Sequence, residues 1–157
     1  MPSERDDTER LDRLADELRL AQALTPDLFF GIIADACTRA SSMARTGRAS
    51  RFDRLVQAEA WIEAVLFLLE LELPAWFPCR LLYDGGEWVC SLSRHPEIPF
   101  AFDDTVDGRH EALAVAILLS LVEAKRHLTT IRRLSATSVP QVALAPAAHT
   151  LCCDNFG

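Results

Sequence analysis

Apolar residues recur along this chain with a helical spacing, then by strict alternation, then with a helical spacing again. Leu11, Leu14, Leu18 and Ala21 make one stripe over residues 3–24, the repeat of an amphipathic helix. Ser3 can cap that helix, and acidic residues crowd its first turns, where the helix dipole favours them. The stripe is narrow, and it can dock on its own chain or on a second one. Leu28, Phe29, Ile32, Ile33, Ala36, Cys37, Ala40 and Met43 then predict a helix from Pro26 to about residue 45. Gly47 fits its end and Ser50 fits the cap of a third helix, expected over 51–72. Between Ala64 and Leu69 that helix is apolar all round, which implies burial on more than one side.

Alternation takes over after Pro74. Cys79, Leu81 and Tyr83 on one side of Asp84-Gly85-Gly86, and Trp88, Cys90 and Leu92 on the other, predict a β-hairpin. A Gly85-Gly86 turn pairs Tyr83 with Trp88 and Leu81 with Cys90. An Asp84-Gly85 turn keeps the same faces and sets Leu81 opposite Trp88. Either register gives the sheet one apolar side, which Trp61 and Leu113 on the flanking helices are expected to cover. Ile98 to Phe102 is a candidate for a third, edge strand, where Pro99 is tolerated. Asp103, Asp104 and Asp107 precede a long helix expected over 108–134, its first half apolar enough to sit in the core.

The architecture this predicts is α+β and helix-rich: a small antiparallel sheet packed against two long apolar helices, preceded by two further N-terminal helices. Residues 1–134 read as a single domain, 1–50 as its N-terminal helical part and 51–134 as an α-β-β-α core. Residues 135–157 read as a flexible tail.

The net charge of −7 argues against general affinity for nucleic acid or anionic membrane and leaves room for a local basic patch. Of the 16 basic residues only Lys125 is lysine, which high-GC coding explains. The segment MPSERDDTER lacks the order of a secretory signal, and the apolar runs 64–69 and 112–119 are too short to cross a bilayer. The expectation is a cytoplasmic protein without membrane contact. Cys37, Cys79, Cys90, Cys152 and Cys153 are then reduced thiols with no zinc-type spacing.

Candidate chemistry is sparse. DDTVDG at 103–108 opens like a calcium loop, but its twelfth position is Ala114 where a bidentate Glu is required. Asp104 or Asp107 as a helix cap accounts for the same residues. His110 and Glu111 are expected on the first helical turn, and His95 in a loop, without a partnered nucleophile. Cys79 and Cys90 share a hairpin face, and in the Asp84-Gly85 register they would lie opposite each other. No metal, cofactor or catalytic set is predicted. Arg39, Arg45, Arg48, Arg51 and Arg54 form the basic cluster, at the junction of the second and third helices. Such a junction can hold phosphate, although a solvated turn pairing with the acidic first helix accounts for it as well.

From Trp61 onward the order of elements resembles the double-stranded RNA-binding domain, but Asp107-Gly108-Arg109-His110-Glu111 stands where that family presents lysines to phosphates. AEAWIEAVLFLLELELPAW, LLYDGGEWVCSLSR and GRHEALAVAILLSLVEA, within residues 58–124, resemble a group of small bacterial proteins with a helix–hairpin–helix core. They are also loosely similar to the phage-associated alpha-beta-alpha sandwich domain. The resemblance implies a fold and no particular activity. The functional expectation is a non-enzymatic protein-interaction or regulatory module, binding a protein partner or a second copy of itself, with Leu11, Leu14 and Leu18 as its candidate interface. The alternative is nucleic-acid or phosphate binding through Arg45, Arg48, Arg51 and Arg54.

Overall fold

The computed structural model describes residues 4–45, 50–97 and 104–137. Helix α1, Glu4–Leu20, buries Leu11, Leu14, Ala15 and Leu18 against the rest of the chain, chiefly helix α6, Leu113–Thr137. Its polar face is tied down by Arg19 to Glu123 at 2.9 Å and Arg126 to Asp12 at 2.5 Å. Thr25 then caps helix α2, Pro26–Ala36, its hydroxyl accepting from the Leu28 amide, and Pro26 supplies the preset φ of a first turn.

Two helices expected to be continuous are broken. Helix α2 stops at Cys37, and helix α3, Thr38–Arg45, starts afresh. The Glu72 carboxylate accepts from the Ala40 amide at 2.7 Å, so the new start is satisfied by a residue 32 positions away, which periodicity cannot register. Helix α4, Ser50–Gln57, and helix α5, Trp61–Glu72, replace the single helix over 51–72. The Ala60 amide bonds the Leu55 carbonyl and the Glu59 amide that of Val56, with Glu59 at φ +52°. That is a Schellman ending with glutamate in the left-handed position glycine usually takes. Without a Gly or Pro, the sequence carries no stop signal there.

Strands β1, Phe77–Asp84, and β2, Glu87–Ser93, pair through the Gly85-Gly86 turn, with Tyr83 opposite Trp88 and Leu81 opposite Cys90. Gly85 at φ +61° and Gly86 at φ +93° have the values of a type I′ turn, which matches the strand twist. A bulge interrupts β1 between Pro78 and Arg80. The third strand, β3, is Thr105–His110, antiparallel to β2, and the sheet order is β1-β2-β3. Strand β3 occupies residues expected to open the long helix, which instead begins at Leu113 and runs past residue 134 to Thr137. The segment 98–102, expected as a strand, and residues 138–157 lie outside the described residues.

The reason for the late helix start is the docking of β3 under α6. Val106, Gly108 and His110 face the helix, and a Cβ at Gly108 would fall 2.2 Å from the Ala116 carbonyl oxygen and 2.4 Å from the Ser120 amide. Only glycine allows that approach. The His110 imidazole then caps α6, its Nδ1 accepting from the Ala112 amide at 2.9 Å. One core joins α1, α2, α5, α6 and β2 around Phe29, Leu68, Leu92, Leu118 and Leu121. Trp61 does not cover the sheet; it packs edge-on against Phe29.

Candidate interaction surface

The most deeply buried charged side chain among the described residues is Glu72. Its side chain is 1% exposed and pairs with Lys125 Nζ at 2.8 Å, while its other oxygen takes the Ala40 amide. Cys37 lies in the electrostatic field of both, and burial pushes its thiol up to about 12. A cavity of about 290 Å³ opens above them, lined among others by Arg10, Arg39, Arg132, Asp7 and Asp35. Glu72 is fully partnered, so the pair ties α3, α5 and α6 together and presents no free carboxylate to the cavity. The sequence marks Lys125 only as the sole lysine and does not mark Glu72. The one signal was that the chain's sole lysine stands 53 residues from a glutamate in an apolar helix, and only tertiary structure relates them.

Of the DDTVDG segment, Thr105–Gly108 lie in strand β3, and Asp103 lies outside the described residues. Asp107 lies in β3 and accepts from the Ser91 hydroxyl at 2.5 Å, so it caps no helix. Asp104 stands 3.5 Å from His127 Nε2. His110 is buried at the end of β3, not on a helical turn, and His95 is exposed beside Glu97. The Gly85-Gly86 register sets Leu81 opposite Cys90, so Cys79 does not lie across from it. Cys79 donates to the Ser91 carbonyl, and Cys90 accepts from the Ser120 hydroxyl at 3.4 Å, with its thiol held above the ordinary range by burial. Cys152 and Cys153 lie outside the described residues. Among the described residues there is no cluster of His, Cys, Asp and Glu able to hold a metal ion, and no helix long and apolar enough to cross a membrane.

Of the arginine cluster, the side chains of Arg39, Arg51 and Arg54 are described, the last two one turn apart on α4. Arg51 stacks its guanidinium 4.1 Å from the Phe67 ring centroid, and Arg39 donates to the Leu71 carbonyl. These two arginines do not pair with the acids of α1, two of which pair instead with Arg126 and Arg19. Arg54 is exposed on α4. Arg45 ends α3 with its side chain outside the described atoms, and Arg48 lies outside the described residues. The stripe of Leu11, Leu14 and Leu18 is at most 7% exposed and packs in the chain's own core. An α1 of this length docks on itself because α6 offers an apolar groove at no cost in translational entropy.

What remains open is β1. Of the seven large hydrophobic residues left exposed among those described, three lie on this one strand: Phe77 at 48%, Leu81 at 50% and Tyr83 at 61%. Leu81 and Tyr83 are on the same face as Cys90 and Gly108, the face α6 covers, but α6 packs on β3 and β2 and stops short of β1. Tyr83 rests on Trp88 with ring centroids 5.2 Å apart. The strand is also an edge, so half its backbone groups have no strand partner. In a ladder closed by a two-residue turn the pair flanking the turn, here Asp84 and Glu87, is hydrogen-bonded, and bonding alternates from there. Leu81 and Tyr83 therefore point their N–H and C=O groups outward. Comparison with family models, with curated proteins and with solved structures found no match.

Proposed function

We propose that this chain is a non-enzymatic interaction module that offers the open β1 edge of its sheet to a protein. The observation that carries the reading is the combination, on one short segment, of outward-facing backbone groups with Leu81 and Tyr83 exposed beside them. Main-chain bonds supply affinity and alternate side chains supply selectivity when a strand is added to such an edge. Glu72, Lys125 and Cys90 are partnered inside the fold and the Cys37 thiol is buried, which gives no comparable support to a reactive centre. The basic cluster supports the nucleic-acid reading less, with Arg39 and Arg51 engaged within the chain and a net charge of −7. The test places the photo-reactive residue benzoylphenylalanine at Leu81 in cells, and at exposed Glu63 on α5 as control. The expected result is a discrete protein adduct from Leu81 and none from Glu63. Absence of any protein adduct at Leu81 sinks the reading.

A further inference from the structure

The occupant of the β1 edge can be taken further, on the reading of β1 as an interaction edge. We propose that it is a second copy of this chain, paired antiparallel through β1 about a two-fold axis at Leu82, so that two three-stranded sheets join into one of six strands.

The register follows from where the strand is regular. Pro78 has no amide hydrogen and the bulge ends at Arg80, and both are devices that keep an edge from pairing. The turn begins at Gly85. The open, regular segment is therefore Arg80–Asp84, and its midpoint is Leu82. An antiparallel two-fold about that midpoint sets Leu81 against the copy's Tyr83, and Arg80 against the copy's Asp84. Leu81 and Tyr83 are the residues whose backbone groups point outward, so their pairing is the hydrogen-bonded one, and each edge satisfies the other's free donors and acceptors.

Both faces of the joint are complementary. On the helix side, Leu81 and Tyr83, half-exposed in one chain, cover their counterparts. An aromatic residue opposite an aliphatic one is a favourable cross-strand pair. On the other side, Asp84 lies opposite Glu87 within its own hairpin. Among the described residues neither carboxylate, nor Arg80, has an ion-pair partner. Like charges directly opposite are unfavourable, and the copy's Arg80 enters beside that pair, twice by symmetry. Isologous closure also leaves no second β1 edge to propagate, so pairing stops at two chains.

Three measurements on the full chain test this. Light scattering and sedimentation give a dimer whose dissociation constant rises about tenfold in Arg80→Asp and in Asp84→Arg, and returns to within about threefold of the starting value when both changes are combined. Mild oxidation of Leu82→Cys gives a bridge between the two substituted positions, mapped by peptide mass, because residues opposite at a non-hydrogen-bonded pair are about 4.5 Å apart between Cα atoms, within disulfide reach. Leu81→Cys, offset from its own copy, gives none. A chain that is monomeric at all concentrations overturns the proposal, as does a dimer indifferent to the charge reversals and to Leu82→Cys. The photo-adduct at Leu81 separates the two levels of the argument. An adduct with a different protein overturns self-pairing and leaves the interaction edge standing, whereas no adduct removes both.

Discussion

The sheet has two edges, and they are finished differently. Strand β3 lies so close beneath α6 that Gly108 meets the helix backbone, and its outward residues Asp107 and Arg109 are charged. Strand β1 has no helix over it and carries Phe77, Leu81 and Tyr83 into solvent. Charge, cover and irregularity are the usual protections of a strand edge. Strand β3 has the first two, while β1 has charge at Arg80 and Asp84 and irregularity at Pro78 and the bulge, but no cover over Leu81 and Tyr83. The difference puts the tight packing at β3 and the exposed apolar surface at β1.

The contrast can be broken most strongly at β3. Gly108→Val forces a side chain into the Ala116 carbonyl and should cost more than about 3 kcal/mol in denaturant unfolding. Gly86→Ala, strained but in open space, should cost only about 1 kcal/mol. Equal effects would show that β3 is no better held than the turn. On the enclosed side of the molecule, Lys125→Ala leaves Glu72 buried without its counter-charge and should lose about 3 kcal/mol. Adding Glu72→Gln to that variant should recover part of the loss in the same titration.

The enclosed side also responds to alkali. The Cys37 thiol, pushed from its ordinary 9.0 up to about 12, stays protonated in the folded chain while the unfolded chain ionises. The unfolded state therefore holds fewer protons, and stability falls as pH rises from about 9 toward about 12. Melting temperatures of Cys37→Ala should be flatter over that window. At the sheet, maleimide should label Cys79 on β1 at least about tenfold faster than buried Cys90 in a Cys152→Ser, Cys153→Ser background. Peptide mapping against time separates them. The smallest effect belongs to Leu81→Thr, which should change the stability of the dilute chain by less than about 0.5 kcal/mol. A large loss there would mean that β1 is covered after all.

The fold class and the hairpin, with its register narrowed to two, were legible because they rest on local chemistry: two glycines suited to positive φ and a strict alternation around them. The apolar half of α6 was legible for the same reason. Strand β3 was not, since an inward position filled by Gly108 and another by His110 do not look apolar, and Asp107 reads as the cap of the helix that follows. The helix breaks at Cys37 and Glu59 depend on Glu72 and on a Schellman ending without glycine, neither of which leaves a periodic trace. The candidate edge was half visible. Leu81 and Tyr83 read correctly as one apolar face, but whether that face is covered depends on where α6 lies, and α6 is placed by the strand that went unread. The leucine stripe of α1 was visible as a surface needing cover; only packing shows that α6 provides it.

The pairing of Lys125 with Glu72 has a consequence for covalent labelling and turnover. The chain has a single lysine, and its ammonium group is held against a buried carboxylate with its side chain 16% exposed. Acetylation, methylation, isopeptide tagging and amine-directed cross-linkers all need a free, deprotonated ε-amine. In the folded molecule that amine is ion-paired and largely buried, and it becomes more available when α3, α5 and α6 come apart. Acylation at Lys125 thus marks chains that have opened, and a pulse of an amine reagent read by mass spectrometry turns this one side chain into a built-in gauge of unfolding.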